Sequence, residues 1–234
     1  MLIDDLLELQ RVDTTLDQLA YRRAHLPERD EAAGAASAME VAERRRRELS
    51  ARNDELEAAV EGLEREGRSL TAQKSRLEAQ LKTVIAPREA EALMHELDTL
   101  ARRRDEFDDQ ELAYLEEQSA VADDLAALDD QLPGLRSRVD AAHGALAATE
   151  AVVDGEVADL GAARSDVAAR IDGGLQRRYE QLRARFGGVA IARLEGTRCG
   201  GCHLDLSPTE LADVRGVPAG EMAECPQCGR LLVP

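Results

Sequence analysis

The sequence has no tryptophan, two phenylalanines and three tyrosines among its 234 residues. Aromatic side chains dominate the cores of large globular domains, so this scarcity argues against one large core. Basic residues are also in short supply. Thirty Lys and Arg face 47 Asp and Glu, a net charge of −17. That balance disfavours whole-surface attraction to nucleic acid or to an anionic membrane, and leaves such contacts to local basic patches. No apolar run approaches the roughly 18 residues that mark a membrane-spanning helix, and no membrane partner is expected. The first residues, Met1-Leu-Ile-Asp-Asp-Leu-Leu-Glu8, lack the basic start and apolar middle of a signal peptide. No Ser-His-Asp arrangement, phosphate loop or inward carboxylate pair is visible, and His25, His95, His143 and His203 are scattered. No enzyme activity and no small-molecule substrate are therefore expected. Cysteine is absent until position 199.

What is present is helix-forming. A third of the residues are charged, and Ala, Leu, Glu, Asp and Arg with a heptad period indicate long helices. In the segment from about 2 to 26, Leu9, Val12, Leu16, Leu19 and Leu26 fall on three- and four-residue steps, with Arg23 as one polar interruption. Pro27 interrupts this helix and Gly34 loosens the chain soon after, so a kink is expected near 27–34. Leu49, Leu56, Leu63, Leu70 and Leu77 then repeat every seven residues. The companion row, Met39, Arg46, Asn53, Val60, Gly67, Lys74 and Leu81, is half polar. This is a coiled-coil seam with polar positions that can fix register. A turn is expected near 83–88, with Pro87 in the first turn of the next helix. The second seam carries Leu93, Leu100, Phe107, Tyr114, Val121, Leu128 and Leu135.

These two runs form an antiparallel hairpin roughly 120 Å long, with a second kink near 133–134. Folding at about residue 85 places position x near 170 − x in an antiparallel hairpin. Arg44–Arg47 then meet Asp123 and Asp124, and Arg102–Arg104 fall beside Glu64 and Glu66. Cross-hairpin ion pairs and solvated charge both fit that placement. After Val153 the spacing slips. Gly173-Gly174 weakens the helix near its end, and Gly187-Gly188 is a plausible stop.

The four cysteines read Cys199-Gly-Gly-Cys202 and Cys225-Pro-Gln-Cys228. Two C-x-x-C pairs at this separation aim four thiolates at one ion and close its tetrahedral shell, which indicates one structural Zn2+. The glycines after the first and last cysteines suit tight turns at positive φ. With every cysteine given to metal, a reducing cytoplasm is the expected setting. A redox C-x-x-C is the alternative, but no βαβ unit accompanies it. His203 follows a ligand and is read as supporting or surface. Val189–Leu194 reads as a strand, and Ser207-Pro208-Thr209-Glu210 as a capping box opening a short helix to Val214. Strands follow at Glu221–Glu224 and Arg230–Val233. About 45 residues bury too little apolar surface alone, and zinc contributes on the order of 10 kcal/mol. The expected fold is mainly α: a long kinked antiparallel coiled-coil helical hairpin over 1–186, then a small C-terminal zinc-ribbon β domain over 187–234.

Cys199-Gly-Gly-Cys-His203 with Leu206-Ser-Pro208, and Cys225-Pro-Gln-Cys-Gly-Arg-Leu-Leu232, resemble the bacterial C4-type zinc-ribbon proteins with an N-terminal coiled-coil hairpin. Arg178-Tyr179-Glu180 with Gly188-Val-Ala190 looks like that family's neck, and Glu89 with Ala92-Leu-Met-His-Glu96 like its loop signature. The family usually has an aromatic residue where Ala90 stands. The resemblance implies a non-enzymatic binding or scaffold protein, similar to adaptors that link flagellar gene regulation or type III secretion to protein and RNA partners.

Two functions follow as expectations. One is an adaptor or scaffold, expected to be a monomer, that binds protein partners through the coiled coil and ribbon. The other is an RNA- or DNA-binding protein using a basic neck. Arg164, Arg170, Arg177, Arg178, Arg183, Arg185, Arg193 and Arg198 face only Asp166, Asp172, Glu180 and Glu195 in that stretch, and Arg230 follows in the ribbon. Tyr179 and Phe186 are either stacking faces for bases or core residues fastening the hairpin to the ribbon.

Overall fold

The computed structural model describes residues 2–218 and 221–234; Met1, Ala219 and Gly220 lie outside the described residues. Four helices come first: α1 (Leu2–Ala24), α2 (Pro27–Leu81), α3 (Pro87–Ala168) and α4 (Gly173–Arg185). They are followed by β1 (Ile191–Glu195), β2 (Arg198–Cys199), α5 (Pro208–Arg215), β3 (Ala223–Glu224) and β4 (Leu231–Val233). The helical hairpin and the small cysteine-bearing sheet are as expected. No described helix is long and apolar enough to cross a membrane.

The described helices break between Ala24 and Pro27, between Leu81 and Pro87, and between Ala168 and Gly173. Helix α1 ends at Ala24, and Pro27 is the first residue of α2, where its missing N–H costs nothing. Gly34 lies inside α2, and α3 stays helical through Pro133 and Gly134. Gly173-Gly174 begins a helix instead of weakening the end of one. Asp172 caps α4, its carboxylate accepting from Gly174 N (2.8 Å) and Leu175 N (3.3 Å).

The chain divides into two compact units. The first is Met1–Glu31 with His143–Pro234. In it α1 runs antiparallel to the end of α3, with Arg23 on Asp154 and Arg170 on Asp5 and Glu8. The sheet order is β2-β1-β4-β3, with β1 and β4 parallel and the other pairs antiparallel. Strand alternation splits its side chains between two cores. Ile191, Leu231 and Val233 face Leu6, Leu9, Val167, Ile171 and Tyr179. Ala192 and Leu232 face Leu206, Val214 and the buried cysteines. One sheet thus joins the helices on one side to the metal centre on the other.

The second unit is Ala32–Ala142. Its seam buries Leu49 and Leu56 against Val121, with Tyr114, Leu125 and Leu128 at the margin. Arg45 lies 3.8 Å from Asp124, and Arg52 pairs with Glu117 at 2.8 Å, both on the expected register. Arg102 and Arg104 instead pair along their own helix with Asp98 and Asp108. The Arg104 guanidinium lies over Gly67, in the space a Cβ there would fill.

Candidate metal centre

Each C-x-x-C sits in a turn closed by backbone hydrogen bonds. His203 N donates to Cys199 O (2.8 Å), and Gly229 N donates to Cys225 O (2.7 Å). His203 (φ 61°) and Gly229 (φ 76°) occupy equivalent left-handed positions, one residue past the second cysteine of each pair. Positive φ was expected at the glycines after the first and last cysteines. Gly229 meets that expectation, but Gly200 and Gly201 do not have positive φ. They are small because of close approach: a Cβ on Gly200 would lie 2.9 Å from Arg193 O, and one on Gly201 2.8 Å from Arg230 Cδ. His203 is the strained residue of the first turn, and its side chain is exposed.

The Sγ atoms of Cys199, Cys202, Cys225 and Cys228 all lie within 4.8 Å of one another, and Cys202 Sγ is 4.0 Å from Cys225 Sγ. Sulfurs at tetrahedral corners about 2.3 Å from zinc are about 3.8 Å apart, so the four fit one zinc with little adjustment. The shell is all-thiolate and closed, which makes the zinc structural. Gly201 N donates to Cys199 Sγ at 3.4 Å. Burial pushes the Cys225 thiol up to about 12. Burial also acts on Cys228, but donation from the Arg230 backbone and side chain outweighs it and holds that thiol at about 7.

The neck behind the ribbon is dominated by residues that periodicity did not single out. Asp13, 1% exposed, accepts from Tyr179 Oη (2.8 Å) and from Arg164 Nε (2.6 Å). Gln10 Oε1 accepts from Ala190 N (2.6 Å), and Gln10 Nε2 donates to Gly188 O (2.7 Å). A helix side chain thereby holds the chain entering β1. The signal was present, because Gln10 and Asp13 lie among Leu6, Leu9 and Val12, which α1 buries.

Tyr179 is wholly buried and has no face for stacking. The guanidiniums of Arg230 and Arg185 each lie over the Phe186 ring, 4.7 and 5.2 Å from its centre. Arg170 pairs with Asp5 and Glu8, Arg178 with Glu224, Arg183 with Asp17 at 2.7 Å, and Arg198 with Asp205 at 3.6 Å. Arg230 donates to Val189 O and Phe186 O. Arg177, Arg185 and Arg193 are exposed, and Arg193 lies in the field of Asp4.

The model of the CT398-like coiled coil hairpin domain matches residues 9–187. The chain belongs to this CT398-like family. A model of the C4-type zinc ribbon domain matches residues 198–232 and so spans all four cysteines. Two relatives from Mycobacterium tuberculosis strains, named uncharacterized protein Rv2229c and uncharacterized protein MT2288, are each 30% identical over 229 residues. Those matches cover 97% of this chain and 93% of theirs. A solved structure from Mycobacterium smegmatis is similar with a TM-score of 0.82 at 25% identity, covering 98% of this chain and 96% of that one. The CT398 structure from Chlamydia trachomatis gives 0.85 at 22% identity, over 99% and 98% of the two chains. The HP0958 structure from Helicobacter pylori gives 0.61 at 18% identity, over 99% and 96%. These last two likenesses are of fold alone. No catalytic family is indicated, and hairpin plus ribbon fit a non-enzymatic zinc-binding member of the CT398-like family.

Proposed function

We propose that this CT398-like protein is a cytoplasmic, monomeric, zinc-stabilised adaptor that binds protein partners through its coiled coil and ribbon. The observation that carries the reading is the state of the neck arginines. Arg170, Arg178, Arg183 and Arg198 already contact carboxylates, and Arg230 is held by two carbonyls. A nucleic-acid phosphate would have to displace those partners, and Tyr179 offers no ring to a base. The second reading, RNA or DNA binding, rests on exposed Arg177, Arg185 and Arg193. The resemblance to flagellar and type III secretion adaptors gives the direction in which partners are sought.

Affinity capture from native lysate, with and without nuclease, tests the reading. The expected catch survives nuclease and shrinks for Cys225→Ser, which removes the metal-held ribbon. A catch released by nuclease, together with salt-sensitive RNA binding lost on charge reversal of Arg177, Arg178 and Arg185, would replace the first reading with the second.

A further inference from the structure

A cleft of about 580 Å³ opens between α2 and α3 within the Ala32–Ala142 unit. It lies where the companion seam row carries Arg46 in place of an apolar residue. Arg46 and Arg47 line it from α2, and Leu132, Pro133 and Arg136 from α3. Arg46 and Arg47 stand three and four residues after Glu43, which also lines the cleft, and Arg136 stands four and three after Leu132 and Pro133. Two acids also line it. Asp129 holds Arg46 at 2.5 Å. Glu43 stands four residues before Arg47 and makes no ion pair with it.

Arg47 and Arg136 make no ion pair or hydrogen bond among the described residues. Their neighbours do: Arg44 meets Glu40, Arg45 meets Asp124, and Arg52 meets Glu117. Arg76, Arg88 and Arg138 also make no ion pair or hydrogen bond among the described residues, but Arg47 and Arg136 line one cleft from opposite helices. We infer that this cleft binds a phosphomonoester dianion, with Arg47 and Arg136 as its ligands. Each guanidinium presents a planar fork that matches two phosphate oxygens. A dianion balances both forks, whereas one carboxylate balances one. Leu132 and Pro133 give the carbon side of the ester an apolar floor. The volume lies within the range of small-ligand sites, about 300–1,000 Å³. Glu43 opposes the anion and keeps affinity modest.

A small phosphate ester and a phosphorylated side chain of a partner present the same dianion. The test is calorimetric titration of the full chain at fixed ionic strength in phosphate-free buffer. Phenyl phosphate is one probe, and a phosphoserine peptide with its unphosphorylated twin is the other. Binding of either phosphate probe is expected to weaken about tenfold or more in Arg47→Ala/Arg136→Ala. It should fall less in the Lys/Lys double variant, which keeps charge and loses the fork. It should strengthen in Glu43→Gln and stay unchanged in Arg76→Ala/Arg88→Ala, which removes the same charge elsewhere. The tighter of the two probes identifies the source of the phosphate. Circular dichroism checks that each variant stays helical. No binding by wild type, equal loss in both arginine-to-alanine pairs, or equal binding of the unphosphorylated peptide overturns the inference.

Discussion

Tyr179 donates its hydroxyl to Asp13 across 166 positions of sequence at 2.8 Å, and both side chains are buried. The bond ties α4 to α1 in the unit that carries the ribbon. Burial first, and the bond to Asp13 second, push the Tyr179 phenol well above its ordinary range. A raised folded-state pKa gives stability that is complete below the unfolded value, about 10 for tyrosine, and lost as pH climbs through the folded value. Stability of this unit is therefore expected to decline above about pH 10, and Tyr179→Phe to remove that slope. At neutral pH the substitution should cost about 1–2 kcal/mol, since Asp13 keeps Arg164. Denaturant titrations of both proteins across alkaline pH check this; a wild-type curve flat through pH 11 or so refutes it.

Gln10 makes the second tie, and it reaches backbone. Its amide satisfies Ala190 N and Gly188 O, groups lying between a helix end and β1. Gln10→Ala should leave these groups without partners and cost about 1–3 kcal/mol. Faster amide exchange is expected at Ala190 and Ile191, with Cys199 and Leu232 unaffected. The metal-side core is a separate cluster, so zinc content should not change. Loss of zinc on this substitution would mean the two cores are coupled.

Zinc removal should act on one end of the fold. The ribbon's second core consists largely of the cysteines and the residues packed on them, whereas the hairpin seam has its own leucines. Chelation is expected to abolish protection of β1 to β4 and leave the helical circular dichroism nearly intact. Affinity should rise with pH, because zinc must displace the protons of thiols such as Cys225, held at about 12. Cys225→Ser should lower zinc retention more than Cys228→Ser, since the first sulfur is buried and the second half-exposed. Metal analysis after dialysis at graded pH measures both effects.

Much of this was legible in the sequence because it depends on period and spacing. Leu49 and Leu56 repeat at seven and are buried in the seam. The fold-back register placed Arg45 by Asp124 and is met again at Arg52 and Glu117. The cysteine spacing specified the four-sulfur cluster. What stayed hidden depends on contacts between distant elements. Gln10 and Asp13 look like polar interruptions until Ala190 and Tyr179 are brought to them. The neck arginines read as a basic patch because their carboxylates, Asp5, Glu8, Asp17 and Glu224, lie far away in sequence. Pro27 reads as a helix interruption, and that the hydrogen bonds resume at once, making it the first residue of α2, is not contained in the spacing.

His203 and Gly229 give a matched pair of substitutions. Both have left-handed φ at the same place in the two metal turns. A left-handed non-glycine residue costs about 1–2 kcal/mol. His203 is exposed, so little packing opposes its removal. His203→Gly should stabilise the ribbon by up to about 1 kcal/mol, and Gly229→Ala should destabilise it by about the same amount. Competition with a chelating dye reads both as opposite shifts in apparent zinc affinity. Shifts of the same sign would show that the His203 side chain contributes more than its backbone costs.

Gly67 sets two effects against each other. A methyl there would lie 1.6 Å from Arg104 Nη1, so the guanidinium must leave the seam in Gly67→Ala. That end of the side chain is flexible, and its present partner Asp108, at 2.6 Å, lies on the same helix. The cost of moving it is a rotamer change of about 1 kcal/mol or less. Replacing a mid-helix glycine by alanine contributes about 1 kcal/mol to helix stability. It also gives the seam a carbon at a buried position. The balance favours stabilisation, by about 0.5–1 kcal/mol in denaturant unfolding. Register should hold, because Arg52 and Glu117 pair away from this layer. If Gly67→Ala is instead destabilising while Gly67→Ala/Arg104→Ala is not, Arg104 in the seam is itself a stabilising register device.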